Sequence, residues 1–170
     1  MDKLITALND MHAEMAHRNN ASSVILRSMA ELGKPLNDSI AAALLTLDTI
    51  HAPIYSACET WRFRDSVRKF HFPTKRYAGF GSSWYKGVPD PEVEKFINIL
   101  PPEMILEVDQ LQEDVSELTG KKLFPNAAMA TAMAANVLGL TDAVAMSLVI
   151  KGRLDVWVSI YQGNYVPRNF

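Results

Sequence analysis

Apolar residues recur at helical spacing along most of the chain. Leu4, Leu8, Met11 and Met15 follow a four-three-four spacing, which stacks them on one face of a helix. The pattern continues from Asn20 to Leu32. "LGKPLND" then supplies Gly33 as a C-cap, Pro35 as a breaker and Asn37 or Asp38 as the N-cap of the next helix. That helix, "DSIAAALLTLDTI", is nearly all apolar and is predicted to be buried on most sides. Pro91 to Leu100 reads as a helix with proline at its first position. "PPEMILEVDQLQEDVSELTG" sets Met104, Val108, Leu111, Val115 and Leu118 on one stripe, with an acidic opposite face that reads as solvated surface. "PNAAMATAMAANVLGL" is alanine-rich with a terminal glycine, a composition that lets helices approach closely. A last helix runs through "GRLDVWVSIYQ", with Arg153 in its opening turn, where the helix dipole disfavours a cation. Strand signals are few and no internal repeat is found, so the fold class is all-α.

At 170 residues and 48% hydrophobic content, the chain suits one well-buried domain. The single cysteine, Cys58, excludes an intrachain disulfide and reads as a buried thiol, with no metal-ligand spacing around it. The N-terminal "MDKLITALNDMHAEM" carries acids among its apolar residues and is neither a signal peptide nor a membrane span, which predicts a soluble, cytoplasmic protein. The net charge of −2 hides an asymmetry. Between Trp61 and Gly87 lie Arg62, Arg64, Arg68, Lys69, Lys75, Arg76 and Lys86 against Asp65 alone, giving +6 locally and −8 elsewhere. The same window holds 8 of the 15 aromatic residues. Such a segment suits a nucleotide-bearing cofactor or nucleic acid, and equally a solvated loop whose aromatics fold into the core.

Within this window "KRYAGFGSSWYKGVPDPEVEKF" has the paired glycines, cations and aromatics of a ligand loop, and its Asp-Pro opens the next helix. Four blocks in order resemble the citrate synthase family, which includes citryl-CoA lyases. "HRNNASSVILRSMAELGKPLNDSIAAALLTL" is similar to the family's His-Glu-x-Asn-Ala-Ser-Thr helix pair. "TIHAPIYSA" resembles its Gly-Pro-x-His-Gly-Gly-Ala-Asn-Glu-Ala turn. "AGFGSSWYKGVPDPE" resembles Pro-Gly-Phe-Gly-His-Pro-Val-Tyr-Lys-x-x-Asp-Pro-Arg. "TGKKLFPNAAMATAMAANVLGL" with "GRLDVWVSIYQ" resembles Gly-Lys-x-Leu-Tyr-Pro-Asn-Val-Asp and Ala-Arg-x-x-Gly-Trp.

The family reaction takes a proton from an acyl-CoA methyl, adds the enol to an oxo acid and hydrolyses the thioester. It requires a base, enol donors, a proton source and carboxylate-gripping arginines. By resemblance, His51 matches the enol-stabilising histidine, His17 one that contacts the oxo acid, and Arg153 a carboxylate-binding arginine. Arg168 matches an arginine sent into the partner subunit's site. Lys75, Arg76, Gly79, Phe80, Gly81, Ser82 and Lys86 match the cofactor loop. Each histidine also has a plainer reading: His51 as the cap of a buried helix, His17 as a surface helix end, since Arg18 replaces the family's glutamate. His12 and His71 match nothing and read as structural or exposed. The base aspartate, however, is Ala128, the second catalytic histidine is Ser82, and the arginine after Asp-Pro is Glu92. Losing one general acid or base costs roughly 100- to 10,000-fold in rate.

These features predict a reduced citrate-synthase-like helical domain over 1–170, with large-domain-like helices at 1–60 and 121–170 and a small-domain-like region with the ligand loop at 61–120. By the resemblance to citrate synthases, the chain is expected to be less than half the usual family length. The favoured function is a dimeric binding or scaffold module that has lost condensation and retains affinity for CoA, acyl-CoA or a di- or tricarboxylate, with a protein partner as an additional expectation. A divergent enzyme acting on a CoA thioester through His51 is the alternative, and nucleic-acid binding through 61–87 is weaker. No metal and no membrane contact are expected, and the homodimer would cover the two alanine-rich helices.

Overall fold

In a computed structural model the described residues are 2–47, 52–69 and 77–167. They form eight α-helices: α1 (Asp2–His17), α2 (Ala21–Glu31), α3 (Leu36–Leu44), α4 (Ile54–Arg62), α5 (Pro91–Ile97), α6 (Pro102–Thr119), α7 (Ala127–Leu138) and α8 (Asp142–Asn164). A short 3-10 turn lies at Arg64–Ser66, and the β-type pairing among the described residues is an isolated bridge between Phe80 and Pro125. The all-α expectation holds.

Side-chain caps explain several boundaries. Asn20 accepts from the Ser23 N–H at the start of α2, while its amide donates to the Met15 carbonyl and pins the corner to the end of α1. Asp90, Asn126 and Thr141 cap α5, α7 and α8 in the same way. Gly120 and Gly139 end α6 and α7 in the left-handed conformation.

The largest helix pairing is α1 along α8, with α4 on α7 and α2 on both α3 and α8. Leu8, Met11, Val93, Leu111, Met129, Met133 and Val149 share the main core. A second cluster of Ala16, Leu26, Ala43, Val156 and Trp157 fills the corner between α1, α2, α3 and α8.

Four details depart from the pattern-based expectation. α3 starts after Pro35, not after Asn37 or Asp38: the Pro35 carbonyl already accepts from the Ser39 N–H (3.0 Å), so both residues lie inside the first turn. Its fully buried residues are Ser39 and Ala43, and Leu45 is 85% exposed, so the helix is not enclosed by its own chain. Leu118 lies on the outer edge of the α6 stripe and is exposed, because a 3.6-residue period rotates the last member away from the core. The last helix begins at Asp142, not at Gly152, so Arg153 sits in mid-helix. Gly152 does not break α8 because α1 crosses there: a Cβ on it would lie 2.8 Å from His12 Cβ and 3.1 Å from Asn9 Cα. The glycine is a notch for the neighbouring helix.

Candidate functional site

The loop from Tyr77 to Asp90 is fastened to the start of α7. The Gly81 N–H donates to the Phe124 carbonyl (2.8 Å), and the Asn126 N–H donates to the Gly79 carbonyl (2.8 Å). The Asn126 side-chain amide donates to the Gly81 carbonyl (2.9 Å) while its oxygen accepts from Ala128 N–H (2.9 Å). One asparagine therefore holds the loop and starts the helix. Gly79 has φ +92°, which requires glycine, and a Cβ there would crowd Met129, 2.6 Å from its movable Cε and 3.1 Å from its Cβ. These contacts bring Gly79, Phe80 and Gly81 together with Ala128, which lies in the first turn of α7 and is buried.

The polar chemistry of that junction is modest. Ala128 offers a methyl group where the resemblance places a base. Ser82 Oγ accepts from the backbone N–H groups of Trp84 (3.1 Å) and Tyr85 (3.3 Å), so its oxygen organises the turn, with no base beside it among the described residues. Beyond it Ser83, Trp84, Lys86, Gly87 and Val88 are exposed.

A second group lies where α1, α7 and α8 meet. Arg153 is 7% exposed, has no hydrogen-bond or ion-pair partner among the described residues, and its Nε is buried. Burial lowers its pKa to about 10, so it stays a cation at neutral pH. His12 is fully buried beside it. Thr131 Oγ1 donates to the Ala127 carbonyl (2.7 Å), so it receives the 2.8 Å hydrogen bond from His12 Nε2–H, leaving Nδ1 as the bare acceptor. Burial, and then the Arg153 charge, hold the His12 pKa well below 6.5, so the ring is neutral. Asn9 Oδ1 and Trp157 Nε1 are likewise buried without partners. Thr131 is one turn after Ala128, so α7 carries both this group and the loop junction.

The remaining site candidates are dispersed. His17 is exposed at the end of α1, roughly 140° around the helix from His12, and does not join Arg153 in the seam. His51, Lys75, Arg76 and Arg168 lie outside the described residues, as does His71. Cys58 is buried and free. Burial, with Asp142 next in effect, pushes its pKa up to about 11, which leaves an unreactive thiol. Asp142 also pairs with Arg62 at 2.7 Å. A cleft of about 700 Å³ between Leu4, Ile99, Pro101 and Leu138 is at the opposite end of α7 from the loop.

Two ionic arrangements go beyond the sequence reading. The acidic face of α6 is not simply solvated: Glu107 pairs with Arg64 (3.0 Å), while Asp114 and Glu117 pair with Arg68 (2.7 and 2.8 Å). The opposed charges of the two segments were the available signal. Arg18, just beyond α1, grips Asp90 through both guanidinium Nη atoms. Its substitution for a family glutamate was the one hint that its partner differs here.

Neither a scan against protein-family models nor a search of curated proteins finds a match. Solved structures do match. Citryl-CoA lyase from Hydrogenobacter thermophilus superposes with a TM-score of 0.80 at 22% identity, covering 95% of this chain and 68% of that one. The fold is that of citryl-CoA lyase. An aspartate-to-alanine variant of ATP citrate lyase from Methanosaeta concilii, in complex with (3S)-citryl-CoA, gives 0.74 at 17% identity over 99% of this chain. ATP citrate lyase from Methanothrix soehngenii, in complex with citrate and coenzyme A, gives 0.71 at 16% identity, also over 99%. The chain spans 32% of each ATP citrate lyase chain. The citryl-CoA lyase fold agrees with the resemblance drawn from the four motif blocks. No described helix is long and apolar enough to cross a membrane.

Proposed function

We propose that this chain is a binding module that holds a carboxylate-bearing CoA thioester without condensing or cleaving it. The observation that carries this reading is Arg153, a buried cation with no counter-charge among the described residues. Burying an isolated charge is costly, and an incoming carboxylate supplies what the protein withholds. The loss of chemistry rests on Ala128, which cannot take a proton, and on Ser82, whose oxygen serves the backbone turn. That ATP citrate lyase lacking one aspartate is found with (3S)-citryl-CoA supports the idea that this fold can retain a thioester without its full set of carboxylates. The glycine loop, fastened by Asn126, is the part proposed to meet the CoA moiety through Gly79–Ser82 and Lys86.

The module is proposed to act as a homodimer. α3 leaves Ala41 exposed, and Leu45 at its C-terminal end is 85% exposed, apolar surface that a second copy would bury. The nucleic-acid reading loses ground, because Arg62, Arg64 and Arg68 are engaged by acids of the same chain.

Calorimetry with CoA, acetyl-CoA, citrate and oxaloacetate tests the proposal. Binding of citrate or a thioester is expected, with at least tenfold loss in Arg153→Met and no product formed. Turnover of a thioester that disappears in His51→Ala would overturn the binding-module reading in favour of a divergent enzyme. A monomeric mass by light scattering at micromolar concentration would remove the dimer.

A further inference from the structure

We infer that Arg18 and Asp90 form a latch that fixes the Ser82–Asp90 segment against the end of α1, so that the ligand loop is shaped before any ligand arrives. The two residues are 72 positions apart, yet their side chains meet in a two-point contact. Arg18 Nη2 donates to Asp90 Oδ1 at 2.9 Å and Nη1 donates to Oδ2. Asp90 is 5% exposed, and its Oδ1 also accepts from the Glu92 N–H (3.1 Å) as the N-cap of α5. The guanidinium carbon stands 5.3 Å from the Tyr85 ring centre, and Nη1 reaches Met15 Sδ at 3.4 Å. Its pKa is raised, chiefly by the hydrogen bond to Asp90.

One cation therefore touches the middle and the far end of the segment while belonging to the end of another helix. The near end is held independently, through Gly79, Gly81 and Asn126. Between these anchors the Trp84 N–H is tied to Ser82 Oγ, while the Trp84 and Lys86 side chains are exposed. Planar two-point ion pairs combine strength with a fixed orientation, and a loop ordered in advance avoids the entropy of ordering on binding. Arg18 and Asp90 are thus positioning residues, and their role in binding rests on the function proposed above.

The test compares the full chain with Asp90→Asn, Arg18→Gln and the double variant. Asparagine caps a helix as well as aspartate does, so Asp90→Asn removes the ion pair while keeping the start of α5. Amide hydrogen exchange over residues 82–90 is expected to quicken at least tenfold in each single variant, with α8 unchanged and the double variant no faster than either single one. Unchanged exchange in that segment, or equal acceleration throughout the molecule, would overturn the latch. Should Arg18→Gln fail to fold, Asp90→Asn alone decides. Acetyl-CoA dissociation, measured in parallel, is expected to speed up at least fivefold in Asp90→Asn. A native chain that binds no CoA, citrate or thioester would remove the binding function while the exchange result still judges the latch. Native binding with a dissociation rate indifferent to Asp90→Asn would overturn the latch's positioning role.

Discussion

Two regions of the molecule treat charge in opposite ways. Where the 3-10 turn meets α6, Arg64 and Arg68 face Glu107, Asp114 and Glu117, and each cation has an acid within 3.0 Å. Where α1, α7 and α8 meet, Arg153, His12, Asn9 and Trp157 all have buried polar atoms without a hydrogen-bond partner among the described residues; in the first region Trp61 Nε1 is in the same state, and Arg64 Nε meets Glu107 by charge rather than by a hydrogen bond. The first region is half open to water, where ion pairs contribute little and are screened by salt. The second is buried, where an unpartnered group costs most. Matching of charge within the chain therefore marks structure, whereas the mismatch at Arg153 is what the proposed carboxylate ligand would relieve.

The largest test of this contrast is steric. Gly152→Val forces a side chain into α1 and is expected to lower stability by about 3 kcal/mol in denaturant melts. Gly163→Ala, on the same helix with open space around it, is expected to raise it by ~0.5 kcal/mol. Next, Arg153→Met is expected to stabilise the ligand-free protein by about 2 kcal/mol, since it replaces an uncompensated buried cation with an apolar chain of similar reach. A loss of stability would mean that the guanidinium is compensated after all, and the contrast would fail.

A smaller effect comes from pH. The folded-state pKa of His12 is depressed below 6.5, so below that value the unfolded chain takes up a proton that the folded chain refuses. Stability is therefore fully present above about pH 6.5 and falls as pH drops below it, by about 1 kcal/mol between 6.5 and 5.5. His12→Gln should flatten that slope in chemical denaturation curves. The smallest change belongs to the paired region: Glu107→Gln is expected to cost under ~1 kcal/mol, with the difference fading at high salt. A large, salt-resistant loss there would erase the distinction between the regions.

Much of the fold was legible from local signals. The stripe of Leu4, Leu8, Met11 and Met15, the Asp90-Pro91 start of α5 and the Gly139 stop of α7 each rest on interactions within a few residues. Those failed where distant parts of the chain intervene. Gly152 reads as a helix boundary until α1 is laid across it, and α3 reads as enclosed until its neighbours leave Leu45 uncovered. In the candidate site, the stitching role of Asn126 and the burial of Arg153 depend on contacts across more than forty positions. The pairing of Arg18 with Asp90 spans 72. Residue identity could nominate Ser82 and Ala128 as changed positions, but not show that the serine oxygen is occupied by the turn.

The notch at Gly152 also works as a mechanical index. Two smooth helices can slide along each other, and each residue of slip shifts them by about 1.5 Å. Here the backbone of Asn9 and the β-carbon of His12 fill a gap that only a residue without a side chain leaves, so α1 and α8 have one seating. Their alignment is thereby set to within a fraction of a turn. Arg153, the next residue along, inherits that accuracy with no side-chain partner among the described residues.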